Sequence, residues 1–226
     1  VTAADVVVLA AFDPELSPLR GVLGPGLAGR VGASVVEARA VGIGLVASAI
    51  GAARVLRAPL PRAVVLVGTC GAYARLDCTP PAIGQAVVGA GIRLVDVGTV
   101  LGVTELPSSL PTVRRSNEDL RRGFVEQGVP PVEVAGTMGI TVDDEVAARV
   151  ARTGAEVEHL EAFSVASACE AVGVRFVAVF GVSNVVGSKA RDEWRANHRA
   201  ASAAAAAEVV RWLERGAPGL ASEEED

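Results

Sequence analysis

The strongest constraint on the fold is a pattern that recurs along the chain: a short unbroken apolar run followed at once by polar or glycine-rich residues. Val6-Val7-Val8-Leu9-Ala10-Ala11 is closed by Asp13-Pro14, Ala63-Val64-Val65-Leu66-Val67 by Gly68-Thr69-Cys70-Gly71, and the run 174–182 by Ser183-Asn184. A strand with one wet face alternates polar and apolar residues, so runs without alternation describe strands buried on both faces, the habit of parallel sheets. Between them, 46–56 and 161–172 read as helices, apolar along one stripe and small where they cross a sheet. Strand and helix in alternation imply an α/β fold with three layers, α/β/α, around a central mixed, mostly parallel sheet.

The segment 83–103 is rich in Val and Gly and reads as strands extending that sheet, with 107–117 as a loop and 118–127 as a short polar helix. A last long helix is expected over 192–215, carried by the alanine tract 200–207, since alanine has the best intrinsic helix propensity. Residues 1–216 therefore read as a single domain, and 217–226, ending in Glu223-Glu224-Glu225-Asp226, as a disordered acidic tail.

Composition narrows the partners. Half of the residues are apolar but only 4% are aromatic, so the interior must pack Ala and Val closely. The net charge is -5 with Lys and Arg scattered, which argues against nucleic acid, whose affinity comes from neutralising phosphates, and for a small molecule. No apolar run reaches the roughly 18 residues that span a bilayer, and no charged segment followed by an apolar stretch and a cleavage site opens the chain. No membrane partner is expected, and the protein reads as cytoplasmic. Cys70, Cys78 and Cys169 lack paired metal-site spacing, so neither a metal nor another cofactor is expected, and Cys169 reads as a core thiol.

In open α/β sheets ligands bind at the carboxyl ends of strands, which directs attention to Asp13, to 68–71 and to Ser183-Asn184, all read as polar loops. Gly68-Thr69-Cys70-Gly71 offers backbone N–H groups and a hydroxyl where glycine permits close approach, although alone it is equally a packing turn. Val157-Glu158-His159-Leu160-Glu161-Ala162 puts a carboxylate at the start of an apolar helix, where the helix dipole favours negative charge. His159 and His198 read as structural.

Taken together, Ala11-Phe12-Asp13, Val41-Gly42-Ile43-Gly44, Val67-Gly68-Thr69-Cys70-Gly71-Ala72, the 157–162 block and Gly181-Val182-Ser183-Asn184 resemble, in order and spacing, the purine nucleoside phosphorylase and methylthioadenosine/adenosylhomocysteine nucleosidase superfamily. Within it, Ser183-Asn184-Val185-Val186-Gly187 through Arg191 to Trp194 is most similar to futalosine hydrolase, which releases hypoxanthine from futalosine in the alternative menaquinone pathway. The resemblance implies that Glu161 accepts from the ribose hydroxyls as the sugar gains oxocarbenium character. It implies that Asn184 faces the base where adenine-specific relatives have aspartate; an amide NH₂ donates to O6 or N7 of a 6-oxopurine, whereas a carboxylate accepts from a 6-amino group. Thr69, Cys70, Gly71, Leu160 and Ser183 would line the substrate site, Asp13 or Glu15 would activate water, and Trp194 with Arg191 would cover the 5′ side.

The sequence also departs from that pattern. Relatives carry an arginine three residues before the serine of the Ser-Asn pair, where this chain has Phe180; Glu145 falls where an aromatic often stacks on the base, leaving Phe12, Phe163, Phe180 or Trp194 to substitute. Leu66 stands where hexameric phosphorylases have arginine, favouring water as nucleophile, while Arg20 keeps phosphorolysis open. Three readings follow: a futalosine-type nucleosidase, a phosphorylase or methylthioadenosine/adenosylhomocysteine nucleosidase, and a non-catalytic nucleoside-binding homologue. A homodimer or larger homo-oligomer is implied by the resemblance.

Overall fold

A computed structural model of the chain describes residues 4–75 and 79–220; Cys78 and the acidic residues 223–226 lie outside the described residues. The first apolar run becomes β1 (Val6–Ala10), followed by α1 (Asp13–Leu16), a 3-10 turn (Ser17–Leu19), α2 (Arg20–Leu23), and the pair β2 (Ala28–Val31) and β3 (Ser34–Ala40). Next come α3 (Leu45–Val55), β4 (Ala63–Ala72), β5 (Ala86–Val95), α4 (Val97–Leu101), β6 (Val113–Arg115) and α5 (Glu118–Val125). β7 (Pro131–Thr137), α6 (Asp144–Ala151), β8 (Val157–His159), α7 (Ala162–Ala171), β9 (Arg175–Val185) and α8 (Ala190–Glu214) complete the order.

The strands form one mixed sheet with helices on both faces, as the alternating pattern predicts. β1 runs parallel to β3 and β4, β4 to β9, β5 to β7 and β7 to β8. The pairs β2/β3, β4/β8, β5/β6 and β5/β9 are antiparallel. The pairings β4–β9–β5–β7–β8–β4 make a closed circuit, so part of the sheet curls on itself. β5 makes this possible: it pairs with β9 through 86–88 and with β7 through 88–95, and its register against β7 shifts between Gly89 and Ile92, a local irregularity that bends a strand.

The unbroken runs are explained by burial on two sides. Val6, Val8, Val65 and Val67 face a layer built by α5 and α8, where Trp212 stacks on Phe124 with ring centroids 5.2 Å apart. Val7, Leu9, Val64 and Leu66 face the opposite layer of α3 and α7, with Ala52, Val165 and Cys169. Burial pushes the Cys169 thiol up to about 12, leaving it inert. Truncating a buried aromatic such as Trp212 costs about 3–5 kcal/mol, a large part of a domain's stability. The alanine-rich α8 lies so close to β9 that a Cβ on Gly181 would overlap the Ala201 carbonyl.

Several expectations need correction. Residues 97–101 form α4 rather than strand, and β6 interrupts the expected loop 107–117. Gly68-Thr69-Cys70-Gly71 and Ser183-Asn184 lie inside β4 and β9, which extend past their apolar runs because β4 finds partners in β8 and β9 up to Ala72. The body also reaches beyond 216: Ala217 is buried, Trp212 Nε1 donates to the Pro218 carbonyl at 3.0 Å, and Arg175 donates to that of Gly219 at 2.9 Å. Among the described residues no helix is long and apolar enough to cross a membrane.

Candidate functional site

A cavity of about 410 Å³ opens where β1, β4, β8 and β9 end, walled by the start of α8 and the loop before α3. Its polar groups hang from places where the sheet breaks its regularity. Opposite β9, Cys70 pairs with Val182 but Gly71 with Asn184, so Ser183 is an extra residue that re-aims the strand. The bulge is pinned from α8, where Asn197 donates to the Ser183 carbonyl (3.1 Å) and Glu193 accepts from the Val185 N–H (2.8 Å). Asn184 emerges into the cavity with its amide oriented: Oδ1 accepts from the Ser183 hydroxyl (2.8 Å), and Nδ2 donates one proton to the Val185 carbonyl (3.2 Å) and keeps a second. A Cβ on Gly71 would sit 2.8 Å from Nδ2, so only glycine leaves that donor room.

Glu15 enters from α1. Its carboxylate accepts from the N–H of Ala11 (3.2 Å) and of Thr69 (3.0 Å), and from the Thr69 hydroxyl (3.3 Å), whose oxygen in turn accepts from Trp194 Nε1 (3.1 Å). Burial pushes its carboxyl from 4.5 up to about 7, the charge of Glu161 adds to the rise, and the donors on Thr69 and Ala11 oppose it. A carboxylate of that basicity is matched to proton transfer at neutral pH.

Glu161 is the N-cap residue of α7 and is buried. Its Oε1 accepts from the Gly44 N–H at 2.7 Å, which assigns a task to the Val41-Gly42-Ile43-Gly44 segment: positive φ at Gly42 and Gly44 turns that amide onto the carboxylate. The Ser48 and Ser164 hydroxyls, 2.6 Å apart, tie α3 to α7 behind it. Glu158 also borders the cavity, but Tyr73 OH and the N–H and hydroxyl of Thr141 engage its carboxylate; it fastens the loop that presents Ile140.

His159 ends β8, buried, with its ring stacked on Phe180 at 4.0 Å. Its Nδ1 accepts from the N–H of Glu161 (3.1 Å) and of Ala162 (3.2 Å), so that nitrogen carries no proton, and its 3.3 Å approach to Glu161 Oε2 is no ion pair. Burial holds the imidazole below its usual pKa, with Glu161 pulling the other way.

Glu161, Asn184, Glu15, Thr69, Cys70, Gly71, Leu160, Ser183 and Trp194 all line this one cavity, as expected from sequence. Two expected residues do not. Asp13 is exposed and gripped by Arg20 at 2.8 and 2.9 Å, because residues two apart on the turn of α1 face opposite ways, and Glu15 takes the inward side. Phe180 is fully buried in the layer of α3 and α7, beneath His159 rather than beside a ligand. Arg20, held by Asp13 and the Pro25 carbonyl, also stays outside, and Leu66 is buried in the sheet. Of the remaining aromatics Phe12 and Trp194 line the cavity, whereas Phe163 packs under the Arg114 guanidinium. Glu145 is exposed and pairs with Arg149, leaving Ile140 on that wall. His159, read as structural, also borders the cavity, as do Ile43, Arg191 and Arg195.

No family model matches the sequence, and no curated protein matches it. Solved structures do match the fold along nearly the whole chain. The 5′-methylthioadenosine/S-adenosylhomocysteine nucleosidase of Neisseria meningitidis, in complex with methylthio-immucillin-A, superposes with a TM-score of 0.79 at 20% identity, covering 93% of this chain and 98% of that one. The S-adenosylhomocysteine nucleosidase of Streptococcus pyogenes, in complex with 5-methylthiotubericidin, gives 0.81 at 19% identity over 95% and 98%. The nucleosidase of Colwellia psychrerythraea, in complex with adenine, gives 0.78 at 19% over 94% and 95%. The chain thus has the fold of these purine nucleosidases.

Proposed function

We propose that the protein is a purine nucleosidase that hydrolyses the N-glycosidic bond of a 6-oxopurine nucleoside of the futalosine type. The observation that carries the reading is the meeting of Glu15, Glu161 and Asn184, from three distant parts of the chain, around one cavity of about 410 Å³. In this reading Glu161 holds the ribose hydroxyls while the sugar gains positive character, and Asn184 donates its free amide proton to N7 or O6 of the leaving base. Glu15 removes a proton from the attacking water. A second hollow of about 490 Å³ also reaches Glu15, past Pro18 and His198, which gives solvent an approach to the base. Arg191 and Arg195 at the mouth suit a 5′ substituent of negative charge.

A second reading, a methylthioadenosine/adenosylhomocysteine nucleosidase, is favoured by the identity of the structural neighbours. Exposed Ile43 and Ile140 line the cavity, and exposed Val46 and Met138 follow closely on the same two segments of chain, apolar surface that supports covering by a second copy of the chain. The test incubates purified protein with futalosine, inosine and methylthioadenosine, with and without phosphate, and follows free base chromatographically. Hypoxanthine from futalosine without phosphate is the expected result. Adenine from methylthioadenosine moves the assignment to the second reading, phosphate dependence makes the protein a phosphorylase, and binding without turnover makes it a non-catalytic homologue.

A further inference from the structure

We propose that His159 is a positioning residue whose Nε2–H, together with Glu15, holds the attacking water. The inference rests on the nucleosidase reading of the cavity, and three observations carry it. First, the ring is fixed: it stacks on Phe180 at 4.0 Å and 20° between planes. Secondly, its tautomer is fixed. The amides of Glu161 and Ala162 both donate to Nδ1, so the proton of the neutral ring sits on Nε2. Thirdly, Nε2 and the proposed base approach the same glycine. A Cβ on Gly68 would lie 3.0 Å from Glu15 Oε1 and 3.2 Å from His159 Nε2, so both atoms close in on a residue that has no side chain to part them, and both residues line the cavity, where a single molecule can bridge across the gap.

Nε2 makes no hydrogen bond to another described residue, although every other polar atom of the Glu15–Thr69–Trp194 chain is engaged. A molecule in that gap must accept from an N–H and donate to a carboxylate, and water does both. Among the described residues the titratable groups near the ring are Glu161 from the start of α7 and Glu15 from α1, while β4 and β9 bring Gly68 and Phe180 to it. The N–H therefore fixes a lone pair of the water while Glu15 takes its proton, and it favours the charged form of Glu15.

Asparagine and glutamine separate the two nitrogens: His159→Asn retains an acceptor near the position of Nδ1 and loses the outer donor, whereas His159→Gln retains a donor near the position of Nε2. With the wild-type substrate, His159→Asn should lower kcat about 10- to 100-fold, the loss typical of one positioned donor, with KM changed less than about threefold. It should also move the acidic limb of kcat/KM to higher pH, while His159→Gln stays within about tenfold of wild type and keeps the limb in place. The opposite ranking, or an unmoved limb in His159→Asn, would mean that the residue serves only the helix start and overturns the proposal. If wild type releases base from no nucleoside, the site reading fails and takes this inference with it; an active wild type with a normal His159→Asn sinks this inference alone. Should either variant fail to fold, ¹⁵N spectroscopy of the wild-type ring decides: a neutral Nε2–H tautomer between pH 6 and 8 is expected, and an Nδ1–H tautomer or an imidazolium refutes it.

Discussion

Replacing Glu15 with glutamine probes the proposed base through pH as well as through rate. Burial lifts this carboxyl from 4.5 to about 7, and a base must be ionised to act. Wild-type kcat/KM should therefore be half-maximal near pH 7 and fall about tenfold per unit below it, whereas an ordinary carboxyl would keep the profile flat to about pH 5. The ratio of kcat/KM at pH 8 to that at pH 6 then becomes about ten rather than about one. Glu15→Gln should remove the limb and lower the plateau by about 10²- to 10⁴-fold. The same shift fixes a stability effect. Because the folded value lies above the unfolded one, folding favours the protonated group; that contribution is complete below 4.5 and is lost as pH rises through about 7. Above that window ionised Glu15 costs the fold about 3 kcal/mol, which glutamine avoids. Glutamine has one acceptor oxygen where the amides of Ala11 and Thr69 use two, and stranding one of them costs about 1–3 kcal/mol. Urea denaturation should thus find the variant close to wild type at pH 8 and weaker near pH 5. A flat wild-type profile between pH 5 and 8, or an unchanged limb in Glu15→Gln, would rule out Glu15 as the base.

Glu161→Gln keeps an oxygen for the Gly44 N–H and should stay folded while losing about 10²-fold or more in kcat/KM; near-normal turnover would remove the residue from the chemistry. Asn184→Asp should move the preference from 6-oxopurine toward 6-aminopurine nucleosides, read as the ratio of kcat/KM for inosine and adenosine, and an unchanged ratio would show that other groups read the base. Val46→Asp places a charge on a side chain 71% exposed and should dissociate a self-associated protein without unfolding it; light scattering that finds wild type monomeric at all concentrations refutes association through this face.

What was legible in the sequence follows from which signals are local. Strands buried on both faces announce themselves, so β1, β4, β9 and the helices between them could be placed from apolar runs alone. The Glu161 and Asn184 positions were legible because the carboxyl ends of such strands are where polar residues collect. The closure of the sheet was not, since it depends on which strand pairs with which, and β5 pairs with three others through overlapping stretches. Asp13 and Glu15 could not be told apart because the chain there was read as a loop; once it is a helical turn, one faces Arg20 and the other the cavity. The pairing of His159 with Phe180 is not legible either. Neither signals it alone, because the two lie 21 residues apart on β8 and β9, which are joined through β4, and their stacking is a tertiary contact.

The electrostatics of the cavity bear on its nucleophile. Three buried carboxyl groups, those of Glu15, Glu158 and Glu161, already border it, and the repulsion of Glu161 is one reason Glu15 holds its proton up to about 7. Phosphate would bring further negative charge to the same place, and binding it there calls for compensating guanidinium groups with bidentate geometry. Arg20 turns both of its terminal nitrogens to Asp13 and the Pro25 carbonyl and does not line the cavity, and Leu66 is an apolar residue inside the sheet. Arg191 and Arg195 border the cavity from α8, the side of Trp194 rather than of Gly68. Water is neutral and needs one acceptor and one donor, and Glu15 Oε1 and His159 Nε2 both lie close to Gly68. The charge distribution that raises the Glu15 carboxyl therefore also disfavours an anionic nucleophile, so the proposed base and the proposed hydrolysis stand on the same arrangement of residues.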